Sequence, residues 1–170
     1  SRYLIEMLKP FNVHIKLFSR HLPEAEAKSM GVEKAELEDI FSSCDIVSLH
    51  CARNAQNYHL VNDELLSKMK QGALLVNTAR GDIIDESALA AHLQAGKIRA
   101  ILDVYEVEPL PMDSELRHLD NCILIPHMGG PTIDRRRDAA RIALEDIENF
   151  KENLSLKHEV SSARAAQMTK

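Results

Sequence analysis

The amino-acid sequence predicts an α/β domain built on a doubly wound parallel sheet. Short apolar runs of strand length alternate with segments whose apolar residues fall at helical spacing, the pattern of βαβ units joined by right-handed crossovers. The run at 73–76, Ala-Leu-Leu-Val, is apolar throughout, as expected of a strand buried on both faces of a sheet. Three consecutive strands then end at Arg80, near Glu108 and at His127. Carboxyl ends of parallel strands share one edge of the sheet, where the ligand crevice lies. A guanidinium, a carboxylate and an imidazole are therefore expected to meet there.

Taken in order, residues 1–9 read as a helix with Leu4, Met7, Leu8 and then Phe11 on one face, stopped by Pro10. In residues 12–18, Val13, Ile15 and Leu17 alternate with polar residues as in a strand, and Ser19, Arg20 and His21 form the turn at its end. Residues 23–30 make a short helix ended by Gly31, and residues 34–43 a second with Leu37, Ile40 and Phe41 inward. Residues 45–49 are the next strand. After an irregular stretch from 51 to 61, Asn62 caps a helix running to Lys70, with Gly72 just beyond it. The central run at 73–76 follows. Asp85 caps another helix, with Leu89 and Leu93 inward and Gly96 at its end.

Residues 100–104 form a strand leading into Glu106-Val107-Glu108-Pro109-Leu110-Pro111. Residues 122–125 form another, leading into Pro126-His127-Met128-Gly129-Gly130-Pro131-Thr132. A long helix covers 133–152, with Ala139, Ile142, Ala143, Ile147 and Phe150 at helical spacing. The tail, 155–170, is polar and weakly amphipathic, and Ser161 or Ser162 can cap one short turn.

Composition excludes several classes. At 170 residues, 45% hydrophobic and 28% charged, usage is that of a soluble globular domain. The net charge of −5, with no basic stripe, argues against a nucleic-acid partner. No apolar run approaches the roughly 18–20 residues that span a bilayer, and residues 1–20 lack a signal-peptide layout. A cytoplasmic protein without a membrane partner is expected. Cys44, Cys51 and Cys122 are odd in number and far apart, and read as reduced core thiols. No HExxH, HxxxH or paired CxxC spacing occurs among the histidines and cysteines, so no metal is expected.

Arg80 at the mouth of a crevice suits an acid substrate. Its planar fork meets a carboxylate at two points, each charge-assisted bond worth roughly 1.5–3 kcal/mol when shielded from water. A lone arginine is more often half of a surface ion pair worth about 0–1 kcal/mol, so the neighbours decide. Oxidising a secondary alcohol beside a carboxylate needs a clamp for the acid, a base for the hydroxyl proton and an acceptor for the hydride. Arg80 suits the first task. His127 suits the second, with Glu108 fixing its tautomer and favouring the imidazolium. The third belongs to a cofactor.

At these residues the chain closely resembles the D-2-hydroxyacid dehydrogenase family, in its nucleotide-binding domain. The shared stretches are Val76-Asn77-Thr78-Ala79-Arg80-Gly81 with Asp85, Leu102-Asp103-Val104-Tyr105 leading into Glu108-Pro109-Leu110-Pro111, and Pro126-His127-Met128-Gly129-Gly130, in the family's order and spacing. The resemblance implies a Rossmann-like NAD(P)-binding fold, hydride transfer between NAD or NADP and a small D-2-hydroxy acid or its 2-keto form, and a homodimer. It assigns the substrate carboxylate to Arg80, the acid-base to His127 and its partner to Glu108. Asp103 would receive the nicotinamide carboxamide. Thr78, Ala79, Gly129 and Gly130 would line the cofactor, with Cys51, Ala52 and Asn54 from the loop after residue 49. Formate dehydrogenases share the Leu8-Lys9-Pro10-Phe11 and Arg20-His21 stretches but place a glutamine with the histidine, so Glu108 favours a 2-hydroxy acid.

The sequence departs from the family in three places. The first strand and Gly-rich loop, and the substrate domain before them, are expected ahead of residue 1, with Ser1 at or beside the third glycine. Residues 1–153 then make a partial dinucleotide-binding domain and 154–170 a tail returning towards the absent domain, and these residues alone are not expected to turn over substrate. Secondly, Ser19 and Arg20 stand where an acidic residue takes the ribose hydroxyls, which removes repulsion against a 2′-phosphate and offers it a cation. Thirdly, Ala52-Arg53-Asn54 replaces Pro-Leu-Thr, and Arg53 reads as a solvated loop charge. The alternative functional class is a dinucleotide-sensing, corepressor-like interaction module, since such relatives keep the same residues.

Overall fold

The computed structural model describes residues 2–165. Ser1, expected beside a glycine-rich loop, and the end of the tail at 166–170 lie outside the described residues. The helices are α1 (Arg2–Leu8), α2 (Glu24–Ser29), α3 (Leu37–Ser43), α4 (Asp63–Lys68), α5 (Glu86–Gln94), α6 (Ile133–Lys151) and α7 (Ser162–Ala165). The strands lie in two parallel sheets. β1 (Lys16–Leu17) pairs with β2 (Glu33–Lys34), while β3 (Ile46–Leu49), β4 (Leu74–Asn77), β5 (Arg99–Leu102) and β6 (Cys122–Leu124) neighbour one another in chain order.

Register explains the core. Val47, Leu75, Ala100 and Cys122 stand in one row across the larger sheet, and Leu49, Asn77, Leu102 and Leu124 in the row two residues on, facing the same side. Against that face pack Phe41 of α3, Leu65 and Leu66 of α4, and Leu89 and Leu93 of α5. Leu75 is fully buried, a burial that contributes about 1.5–3 kcal/mol. The other face carries Ile46, Val76, Ile101 and Ile123 and stays open, with Ile46 63% and Ile123 58% exposed. The expectation that residues 73–76 are buried on both faces is thereby corrected: β4 alternates because α3, α4 and α5 cover one side of it.

Helix boundaries follow the capping chemistry. Asn62 Oδ1 accepts the Leu65 amide and Asp85 Oδ1 the Ala88 amide, each cap worth about 1 kcal/mol. Gly31 and Gly96 take positive φ two residues past the ends of α2 and α5, and Gly72 does so in the turn before β4. The expected strand at 12–18 shrinks to Lys16–Leu17, and Val13 is half exposed and belongs to neither hydrophobic cluster. β2 replaces the start of the helix expected at 34–43. There the Glu33 amide donates to Ile15 O and the Ala35 amide to Leu17 O, so the residues before α3 pair with β1 instead of winding. Pro10 sits inside a 3₁₀ turn, Lys9–Phe11, which left-handed Asn12 ends.

No residue of α6 is buried, and the tail doubles back on it through the Lys157 and His158 amides donated to Asp146. Phe18, directly after β1, packs on the main core, and Lys16 Nζ reaches Asp39 and Ser43 on α3, so the two sheets lie side by side. No described helix is long and apolar enough to cross a membrane.

Candidate active site

The loops after β4, β5 and β6 deliver the three residues singled out from the sequence. His127 Nδ1 lies 2.6 Å from Glu108 Oε2, and Glu108 Oε1 accepts the Tyr105 amide at 3.0 Å. Burial alone would push the Glu108 carboxyl up. The hydrogen bonds from His127 and from the Tyr105 amide, then the charges of His127 and Arg80, outweigh it and hold the carboxyl below its ordinary range. Arg80 is thus close enough to act on Glu108 electrostatically. The structure brings all three groups to one end of the sheet.

His127 is itself in a left-handed conformation, φ +48°, which costs a non-glycine residue about 1–2 kcal/mol. Asp103 supplies the compensation. Its carboxylate, 3% exposed, accepts the Met128 amide on one oxygen and the Gly129 amide on the other, each at 2.7 Å. Two bonds to a buried charge contribute about 1.5–3 kcal/mol apiece, enough to hold the turn. Gly129 is required by that approach, since a Cβ there would stand 2.6 Å from Asp103 Oδ2. Asp103, expected from the resemblance to meet the cofactor, is seen here as the anchor of the His127 loop. Both oxygens keep a further lone pair.

Arg80 is presented by a turn that Asn77 holds together. The Asn77 side chain donates to Arg80 O and accepts the Ala79 amide, and is itself buried at the end of β4. Arg80 Nη1 rests on Ala79 O at 2.6 Å, leaving the exposed guanidinium without a carboxylate partner among the described residues. Beside it opens a cleft of about 320 Å³ lined by His50, Cys51, Ala52, Thr78, Ala79 and Arg80. The cleft therefore joins the expected cofactor positions of the loop after β3 to those after β4. Gly129 and Gly130 stand on the neighbouring His127 loop.

In the turn after β1, Ser19 Oγ accepts the His21 and Leu22 amides and so shapes its own turn. Arg20 reaches across to the loop after β3, donating to Asn57 Oδ1 at 2.8 Å while its guanidinium carbon lies 5.7 Å from the Phe18 ring centroid. Asn54 spends its side chain on the turn, accepting the Gln56 and Asn57 amides. Arg53 pairs with Asp82 at 2.7 Å and its side chain stays 61% exposed, so it is a solvated loop charge with one ion-pair partner.

Sequence reasoning missed Asn57, 3% exposed, which ties Arg20 to Ala52 O. A polar residue in an irregular loop gave no sign of being buried. His59 lies beside Asp85 and Glu106, which belong to two of the motif loops. The cysteines are free and half-buried against the core. Burial pushes the Cys122 thiol up to about 11, with the Glu86 charge adding to it.

The Glu108 shift has a consequence for stability. A carboxyl that titrates lower when folded contributes stability that is full above its ordinary value of 4.5 and is lost as pH falls through the folded value. Glu108→Gln is expected to be less stable than the parent at neutral pH and to converge with it in acid, read from urea midpoints. A gap constant with pH would contradict the assignment.

Residues 1–129 match the family described as D-isomer specific 2-hydroxyacid dehydrogenase, NAD binding domain. Glyoxylate/hydroxypyruvate reductase B of Yersinia pestis (strain Pestoides F) is 37% identical over 140 residues, covering 82% of this chain and 43% of the relative. Among solved structures, the apo form of Rhodotorula graminis D-mandelate dehydrogenase superposes with a TM-score of 0.86 at 26% identity, over 95% of this chain and 48% of that one. A D-isomer specific 2-hydroxyacid dehydrogenase from Xanthobacter autotrophicus Py2, solved with NADPH and MES, gives 0.80 at 32% identity, over 94% of this chain and 66% of that one. The chain spans less than half the length of the curated relatives it matches.

Proposed function

The chain belongs to the D-isomer specific 2-hydroxyacid dehydrogenase family through its NAD-binding domain, and we propose that it is the nucleotide-binding part of an oxidoreductase reducing small 2-keto acids to D-2-hydroxy acids. The observation that carries this reading is the 2.6 Å contact of His127 with Glu108, beside an arginine whose charge acts on that same carboxylate.

In the proposed reaction Arg80 grips the substrate carboxylate through paired N–H bonds and so fixes which face of the keto carbon is presented. His127, protonated and held by Glu108 through Nδ1, gives the proton on Nε2 to the keto oxygen as it becomes a hydroxyl, and takes it back in the reverse direction. Glu108 stays ionised throughout the neutral range and fixes the ring's orientation through Nδ1. The dinucleotide, when bound, supplies the hydride in reduction and accepts it in oxidation. Cys51, Ala52, Thr78, Ala79, Gly129 and Gly130 would line its site, which fits an open cleft with small side chains and exposed backbone.

Among the named relatives, the reductase on glyoxylate or hydroxypyruvate suggests the substrate class. The test is consumption of NADPH and NADH by the full-length protein with glyoxylate, hydroxypyruvate, pyruvate and longer 2-keto acids. Saturable consumption with one or more of them supports the reading. Tight dinucleotide binding with no consumption would favour the corepressor-like class instead.

Arg20 is a cation without a carboxylate partner among the described residues, and Ser19 brings no negative charge, so NADP is proposed beside NAD. Ser19→Asp is expected to shift the ratio of kcat/KM values towards NAD by about tenfold or more, a change of roughly 1.4 kcal/mol. An unaltered ratio would remove this turn from cofactor choice.

Two architectural readings accompany the function. The unpaired edges of β1 and β3 offer a slot for one more parallel strand, supplied by a preceding segment of the full-length protein. The exposed Ile147 and Phe150 on α6 support a homodimer, which sedimentation of the full-length protein tests.

A further inference from the structure

We propose that Glu86 and Glu106 form a reciprocal latch that positions Glu108 against His127. The proposal rests on the reading of Glu108 and His127 given above, and it names two positioning residues that touch neither substrate nor cofactor in that reading.

The Glu86 amide donates to Glu106 Oε1 and the Glu106 amide donates to Glu86 Oε2, both at 3.0 Å. Glu86 opens α5, so its amide is one of the helix donors that no carbonyl of the helix can satisfy, and a negative charge there is favoured by the helix dipole. Glu106 lies between Tyr105, whose amide bonds Glu108, and Glu108 itself. The latch thus fixes the base of the turn from which Glu108 reaches His127, and fixes it to the segment that follows Arg80.

Two neighbours close the latch. Gly81 lies under it so tightly that a Cβ would stand 2.4 Å from the Glu106 nitrogen. His59, whose amide donates to Asp82 O, places Nε2 2.8 Å from Glu106 Oε1, outside the alignment a hydrogen bond needs, and Nδ1 4.0 Å from Asp85 Oδ2. The groups facing the pair are therefore His59 and Asp85, with the Cys122 thiol near enough to feel the Glu86 charge.

His59, Asp85 and Glu106 also offer donor atoms within 4.8 Å of one another, as a metal site would. Asp85 Oδ1 and Glu106 Oε1 are already bonded to amides at the start of α5, and a helix N-terminus disfavours a cation. The hydrogen bonds favour the latch.

The test uses the full-length protein with Glu86→Ala, Glu86→Gln, which keeps an acceptor for the Glu106 amide, and Glu108→Gln as the reference for a lost partner. The Nδ1 proton of His127, which the short contact with the Glu108 carboxylate holds downfield, is followed by NMR. In Glu86→Ala that resonance is expected to move upfield towards its position in Glu108→Gln, and to return in Glu86→Gln. The kcat for keto-acid reduction is expected to fall about tenfold with little change in dinucleotide Kd.

A His127 Nδ1 resonance unmoved in folded Glu86→Ala overturns the latch, because loss of a merely structural bond would lower the melting temperature alone. Should Glu86→Ala not fold, Glu86→Asp, which keeps the charge but falls short of the Glu106 amide, is read in the same way. A moved Nδ1 resonance with no keto-acid turnover in the parent protein supports the latch and counts against the reaction.

Discussion

His127→Ala in the full-length protein is expected to lower kcat by about 10²–10⁴ while leaving dinucleotide binding nearly intact. The magnitude is that of a positioned acid-base, and three features of the loop argue for positioning. The ring is fixed by a 2.6 Å contact with Glu108, the backbone is held left-handed, and Asp103 clamps the next two amides. None of these contacts builds the core, because His127 is exposed at the end of β6. Truncation removes the proton donor without leaving a cavity. The effect belongs on kcat and kcat/KM together, since the lost interaction is made in the transition state. Loss of folding or of dinucleotide affinity with kcat unchanged would take His127 out of the chemistry.

Gly81→Ala is expected to act on the opposite quantity, stability. Its φ is ordinary, so strain does not arise from the backbone conformation. The obstacle is space: a Cβ would meet the Tyr105 carbonyl carbon at 1.8 Å and its oxygen at 1.9 Å. Both are backbone atoms, and neither can swing aside. The Arg80 loop must instead lift away from the loop carrying Glu108, breaking the Glu86–Glu106 bonds as it does so. Overpacking of this kind costs about 1–3 kcal/mol and more where the neighbour is rigid. A fall of at least that size in the urea-unfolding free energy is expected, with loss of activity beyond the folded fraction. A variant as stable as the parent would show that the two loops are not packed as described.

Much of this arrangement was legible from residue types. The strand ends at Arg80, Glu108 and His127 and the caps at Asn62 and Asp85 follow from local signals that tertiary packing did not override. Other features lacked a local signal. β2 is two residues of Glu-Lys, with no apolar period, and exists because β1 offers it amides and carbonyls. The open face of β4 could not be read from an all-apolar run, since apolar character states what a side chain tolerates and not what covers it. Asp103 illustrates the same limit within the site: its place in a motif suggested a ligand contact, whereas its two amide bonds are visible only once the β6 loop has folded over it. His59 and Glu106 meet across long sequence separation, which no spacing rule anticipates.

One measurement reaches the central claim most directly, a structure of the full-length protein with dinucleotide and oxamate, an unreactive analogue of a 2-keto acid. The account predicts the oxamate carboxylate on the Arg80 fork and its carbonyl oxygen within hydrogen-bond reach of His127 Nε2. An analogue bound away from Arg80, or a His127 ring turned from it with Glu108 unpaired, would contradict the account.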